Sequence, residues 1–246
     1  METLDLHPEI AALRAIAPIK TWSLLVTVLG DGPAGPDAPV SGADLRALFQ
    51  PMGVKPEALR VALHRLAKDD WIRSTKTGRT STYALTRKGL AETGRVRARV
   101  YRADVAGLSD WVCASFEQIA PAVTGPHVRL NASTLALPRA AVPDGALISR
   151  FEAAPAWFDR LCLSPEMWRA LDALAVSARR LGAMAPPADA RAARAIRLLV
   201  LHQWRRLALR DGLWLHKFIY PEGKAAACQA TVLPLLAHLE RASDVS

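Results

Sequence analysis

VKPEALRVALHRLAKDDWIRSTKTGRTSTYALT, residues Val54 to Thr86, decides how the front of this chain folds. In its first half Leu59, Ala62, Leu63 and Leu66 recur at helical spacing and predict one buried side. Lys55, Arg60, Val61, His64, Arg65 and Lys68 fall on or near the other side. Pro56 suits the first turn of such a helix, where its missing N–H has no intrahelical partner to lose. The second half holds two β-rich runs, Trp71 to Lys76 and Thr80 to Leu85, around Thr77-Gly78-Arg79, a hairpin turn with glycine at its tip. A basic helix followed by a basic hairpin predicts a winged helix-turn-helix.

Upstream there is room for two supporting helices. Ile16 to Leu29 is an apolar segment, stopped by the breaker-rich GDGPAGPDAP. Ser41 then opens SGADLRALFQPMG, with Asp44 three residues on as a variant capping box and Leu45, Leu48 and Phe49 as the buried edge.

Charge sharpens this reading. Between Gly53 and Arg102 thirteen Lys/Arg face four Asp/Glu, so the stretch sums to +9; the rest carries nineteen of each sign and sums to zero. A positive field with a location is the footprint of a face that binds a polyanion, and nucleic acid is the first partner to consider. In a helix-turn-helix module arginine forks read guanine edges in the major groove while lysine contacts phosphate. Arg60, His64, Arg65 and Lys68, with Lys55 at the helix start, are the groove and backbone candidates. Arg79 at the hairpin tip is placed for an adjacent minor groove, and Arg73, Lys76 and Arg87 lie nearer the phosphates. The plainer alternative is a solvated charged face, although such faces normally mix both signs. Arg65 also stands four residues before Asp69, at ion-pair spacing.

These residues resemble a known family. Gly53-Val54, Arg60-x-Ala62-Leu63-x-Arg65-Leu66-x-Lys68, Trp71, Gly78-Arg79-x-Ser81-x-Tyr83-x-Leu85-Thr86-x-x-Gly89 and Arg99-Val100-Tyr101 together are similar to the PaaX family of transcriptional repressors. Leu198 to Asp211, LLVLHQWRRLALRD, extends the likeness with an aromatic, paired arginines and a later Asp. The resemblance implies an α+β repressor in three parts: a winged helix over 1–98, a small ferredoxin-like middle domain over 99–163, and a helical domain over 164–246. It further implies a homodimer that leaves operator DNA when an acyl-CoA, characteristically phenylacetyl-CoA, binds.

The middle segment departs from the family pattern. Arg102 to Phe116 and Val128 to Leu137 each supply a strand, but between them EQIAPAVTGPH is broken by Pro121, Gly125 and Pro126, which predicts a trimmed ferredoxin-like domain. Ala146 to Phe151 reads as a further strand and Pro155 to Leu161 as a short helix or turn. Ser164-Pro165-Glu166 caps a helix through Leu181 that Gly182 closes. Asp104 and Asp110 are the nearby carboxylates, in a polar loop where Asp is common, and metal-dependent cleavage by them is not expected.

The last third predicts a helical bundle. Asp189 to Arg210 puts Ala192, Ile196, Leu199, Val200 and Gln203 on one side and Arg191, Arg194, Arg197 and Arg205 on the other, with Gly212 as its stop. Glu222 to about Arg241 is a second helix that Pro234 is expected to kink or split. Arg205 and Arg206 suit the phosphates of a CoA moiety, and His202, Trp204, Trp214, His216 and Tyr220 offer aromatic surface for an aryl or adenine ring. Taken singly, each of these residues is more simply explained as core or as a solvated charge.

His202 and His216 are fourteen apart with no ligand-spaced neighbour, and Cys113, Cys162 and Cys228 are scattered, so no metal or other cofactor is expected. No G-x-S-x-G, Walker loop or G-x-G-x-x-G occurs, which argues against an enzyme. The absence of a secretory leader pattern or a membrane-length apolar run predicts a cytoplasmic protein. Two other readings differ in class: an RNA-binding or nucleolytic protein built on the ferredoxin-like segment, and an acyl-CoA-binding protein without DNA contact.

Overall fold

Capping chemistry marks where the front helices begin. The computed structural model describes residues 8–31, 38–102, 110–184 and 189–244, an α+β arrangement with two antiparallel sheets. Helix α1 (Pro8–Ala15) precedes α2 (Thr21–Gly30). The apolar run from Ile16 turns helical only at Thr21, because Pro18 disfavours helical backbone in the residue before it. After the two-residue strand β1 (Val40–Ser41) comes α3 (Gly42–Phe49), where Ser41 Oγ accepts the Asp44 N–H at 3.0 Å and donates to the Asp44 carboxylate at 2.7 Å. Helix α4 (Pro56–Lys68) has its proline in the first turn and buries Leu59, Ala62, Leu63 and Leu66, the side its spacing predicts.

Strands β2 (Ile72–Thr77) and β3 (Thr80–Leu85) pair in register from Ile72↔Leu85 to Thr77↔Thr80. The turn is therefore two residues, Gly78-Arg79, rather than three, and Gly78 supplies the positive φ of 61° that a tight hairpin requires at that position. With β1 added the sheet order is β1-β3-β2. Helix α5 (Arg87–Tyr101) follows, capped by Thr86 Oγ1 accepting the Gly89 N–H at 3.1 Å.

The second sheet has the order β5-β6-β4-β7, all antiparallel, from β4 (Trp111–Ser115), β5 (Val128–Arg129), β6 (Thr134–Pro138) and β7 (Leu147–Arg150). Val128 to Leu137 is thus not one strand but a tight hairpin, turned where the Asn131 side-chain Oδ1 accepts the Ser133 N–H at 2.9 Å. Residues 116–127 contain no helix. The pleat splits the sheet's two faces. Trp111 and Ala136 join the main core, while Ala114, Leu135 and Leu137 form a small cluster under Phe116, Val123, Val142 and Ala146.

The C-terminal part consists of α6 (Asp159–Cys162), α7 (Pro165–Ala183), α8 (Ala190–Ala208), α9 (Asp211–Ile219) and α10 (Lys224–Asp244). Three expectations change here. Helix α7 continues through Gly182. Helix α8 ends at Ala208, and Gly212 instead sits in the first turn of α9, where a Cβ would run into the Cys162 carbonyl. Pro234 lies inside α10 and does not split it in two.

One core joins front and back: Leu13, Leu24, Leu45 and Leu59 belong to the same apolar cluster as Leu199, Trp204 and Leu239. Along the seam Arg197 of α8 ion-pairs with Asp31, which also accepts the Tyr101 hydroxyl, and Arg197 reaches Glu240 at 3.5 Å. Arg197 therefore leaves the solvent-facing set predicted for it, with 13% of its side chain exposed. Trp204 Nε1 donates to the Val100 carbonyl at 2.7 Å, and Arg99 pairs with Asp211 at 2.9 Å. Thr27 Oγ1 donates to the Ser23 carbonyl at 2.9 Å, so His202 Nδ1, 3.1 Å from that hydroxyl, must be the donor into it.

His202 is sealed from solvent, and burial, with Arg206 and Arg205 close by, pushes its pKa down to about 4. The folded protein keeps this ring neutral while the unfolded chain binds a proton below pH 6.5. Its contribution is therefore complete above pH 6.5 and is lost as pH falls toward 4, by up to about 3 kcal/mol. Urea unfolding across that window should show the loss, and His202→Gln should flatten it. Two glycines of α5 make a second test. At Gly89 a Cβ would run into the Trp71 carbonyl, so Gly89→Ala should cost about 1–3 kcal/mol. At Gly94 a Cβ meets nothing, so Gly94→Ala should gain roughly 0.5–1 kcal/mol in the same assay.

Candidate nucleic-acid interface

Burying the leucine side of α4 against α2 leaves its polar side outward. Lys55, Arg60, His64, Arg65 and Lys68 are all exposed there. So are Arg73 and Lys76 on β2, Arg79 in the hairpin turn and Arg87 at the start of α5. All nine cationic or titratable candidates thus reach solvent. Val61 stands among them 64% exposed, an apolar side chain on an otherwise charged surface.

Between α3, α4 and the hairpin lies a cleft of about 570 Å³. Arg60, His64 and Glu57 of α4, Ser74 of β2, Tyr83 of β3 and Arg46 of α3 line it. Arg46 was not among the sequence candidates, since α3 reads as a supporting helix and its single arginine lacks any basic periodicity. Gly42, at the start of α3, keeps this wall thin, for a Cβ there would touch the Tyr83 ring at 3.4 Å.

The candidates are not equally available. Arg65 Nε lies 3.7 Å from Asp69 Oδ2 in the anticipated i,i+4 pair, and its guanidinium is 6.0 Å from the Trp22 ring centroid. With side chains 67% and 51% exposed that pair is weak and can be exchanged for a stronger anion. Asp69 also holds Lys88, whose ammonium donates to its carbonyl at 2.8 Å and so caps the end of α4. Arg60, His64, Lys68 and Arg79 make no ion pair with any described residue.

The seven effector candidates divide into two groups. His202, Trp204, Arg205 and Arg206 stand on α8, and Trp214, His216 and Tyr220 on or just after α9. His202, Trp204, Trp214 and His216 are each at most 4% exposed. Trp214 Nε1 donates to the Ala208 carbonyl at 2.7 Å, and its ring is flanked by Lys217 and Arg99. His216 packs against Trp168 and Tyr220 with Asp159 at 3.8 Å. Their surfaces are used within the protein; Arg205, Arg206 and Tyr220 remain partly exposed. The Asp of the paired-arginine segment, Asp211, is the partner of Arg99 and also accepts the His127 N–H at 3.2 Å.

Asp104 lies outside the described residues, and Asp110 is exposed, its carbonyl accepting the Arg139 N–H. Among the described residues no group of three His, Cys, Asp or Glu is arranged to hold a metal ion, and no helix is long and apolar enough to cross a membrane.

Comparison with known proteins fits this geometry. A family described as PaaX-like protein matches residues 20–89, which run from the start of α2 to the first turn of α5. The transcriptional repressor PaaX of Escherichia coli (strain K12) is 33% identical over 93 residues, 38% of this chain and 29% of the repressor, so the match spans less than a third of that relative. Uncharacterized protein Rv0674 from Mycobacterium tuberculosis superposes with a TM-score of 0.44 at 19% identity, over 93% of this chain and 100% of that one, too loosely to argue from. Over residues 20–89 this chain is similar to the PaaX-like family.

Proposed function

We propose that the chain is a sequence-specific DNA-binding transcriptional repressor whose reading head is α4 and the β2–β3 hairpin. The observation that carries this is the exposure of all nine basic candidates on that helix, the hairpin and the base of α5, around a cleft that Arg46 also borders. Helix α2, β1, α3, α4 and the hairpin, with sheet order β1-β3-β2, support the winged-helix reading of residues 1–98. Arg60 and His64 reach base edges, Val61 suits a thymine methyl, and Arg79 enters the neighbouring minor groove. Arg46, Lys68 and Lys76 hold phosphates.

In the middle segment, 99–163, the order β5-β6-β4-β7 is 2-3-1-4 counted along the chain, which supports a ferredoxin-like sheet with both crossovers shortened to loops. Helices α7 to α10 support the reading of 164–246 as a helical domain. The family resemblance adds a homodimer released by an acyl-CoA; Arg205, Arg206 and Tyr220 are the candidates with exposed surface for it. The RNA-binding, nucleolytic and DNA-independent readings gain no comparable support.

A duplex selected from a random pool by the full chain provides the test. Arg60→Ala combined with Arg65→Ala should weaken its binding by about 10²-fold or more, since a bidentate base contact is worth roughly 1–3 kcal/mol and a phosphate contact adds to it. Lys76→Ala, which removes one phosphate contact, should lower the slope of log affinity against log salt by about 0.9. Full affinity in the double variant, or the absence of any selected sequence, would overturn the assignment.

A further inference from the structure

Among the described arginines along the seam between the front of the chain and the C-terminal helices, Arg99 and Arg197 meet carboxylates. Arg99 has Asp211, and Arg197 has Asp31 and Glu240. Arg205, two turns beyond Arg197 on α8, is half-buried yet its guanidinium makes no ion pair or hydrogen bond with any described residue. Burial holds its pKa below the usual guanidinium value. A cation drawn partly out of water without a counter-charge is unfavourable, and becomes favourable only when an anion arrives.

There is a place for that anion. Arg205 borders a small cleft between α2, α5 and α8 that opens to solvent and has room for about 30 Å³. Thr93, Val96 and Leu201 help wall it, Arg97 shares it, and among the described residues no carboxylate lines it. Arg97 is exposed, its guanidinium laid 5.0 Å over the Tyr101 ring with Nη1 donating to the Gly30 carbonyl at 3.5 Å, which leaves its remaining N–H groups for a second partner. The nearest acid of the seam, Asp31, is already engaged by Arg197 and Tyr101. Two guanidinium forks beside a pocket sized for one end group match the oxygens of a carboxylate or a phosphate.

The geometry points to an oxyanion site in which Arg205 and Arg97 take the terminal carboxylate or phosphate of a small molecule whose remaining body stays outside the cleft. Because α2 packs on one side against α4 and on the other against α8, an occupant here reaches the placement of α4. That consequence rests on the proposed function; the binding itself does not, and failure to bind duplex DNA would leave it standing.

Thermal unfolding of the full chain, titrated with sodium phosphate or sodium acetate against sodium chloride at matched ionic strength, tests it. A saturable rise in Tm is expected, roughly 3–5 °C at tenfold the dissociation constant. Phosphate alone, acetate alone or both producing the rise tells which oxyanion the site accepts. Arg205→Gln should abolish the rise while keeping the anion-free Tm at or above that of the parent, because it removes an unpaired charge. Arg97→Gln, at an exposed position, repeats the test should Arg205→Gln fail to fold. No saturable rise with either salt, or an undiminished rise in both variants, would overturn the site.

Discussion

A carboxylate at the end of α2 holds this molecule together. Asp31 is 70 positions from Tyr101 and 166 from Arg197, yet all three side chains meet where α2, α5 and α8 converge. An aspartate 11% exposed is tolerable only with its oxygens fully engaged, and here a phenol and a guanidinium engage both. Removing any member strands the others in a poorly hydrated place. The orientation of α2 is thereby tied to α8, and α4, packed against α2, inherits it. Trp204 on the Val100 carbonyl and Arg99 on Asp211 brace the same seam from either side.

This tie divides the basic residues into two populations. Those of α4 and the hairpin sit on elements whose buried sides are wholly apolar, so their charges have nowhere to go but outward. Those of the seam are mostly spent on internal carboxylates: Arg197 on Asp31 and Glu240, Arg99 on Asp211, Arg180 on Glu9 at 3.7 Å. The sequence-level arithmetic, +9 at the front and balance elsewhere, thus has a spatial counterpart. A field of one sign survives only where the fold supplies no partners, and Arg205 is the seam's exception.

The middle sheet shows how little is needed to build a layer when its neighbours cooperate. Only one face, through Trp111 and Ala136, reaches the shared core; the other is closed by a small cluster under loop residues such as Phe116 and Val142. Helices over that second face are replaced by irregular chain. The breakers Pro121, Gly125 and Pro126 announce this, whereas the hairpin at Asn131 is hidden inside what reads as one continuous strand.

Sequence alone determined the features governed by neighbours a few positions apart. The buried stripe of α4, the caps at Ser41 and Ser164, the hairpin around Gly78 and the concentration of charge follow from periodicity and turn chemistry, which act within a few residues. Tertiary structure alone decided which polar residues are spent. Trp204 and Arg205 are adjacent in the chain but about 100° apart around the helix, so one becomes core while the other borders a cleft. His202 looks like an aromatic ligand surface and is a sealed donor to Thr27. Arg46 looks like part of a supporting helix and lines the cleft beside Arg60. Whether a side chain binds outward or is consumed inward depends on partners far away in the chain, and local patterns carry no information about contacts made across such distances.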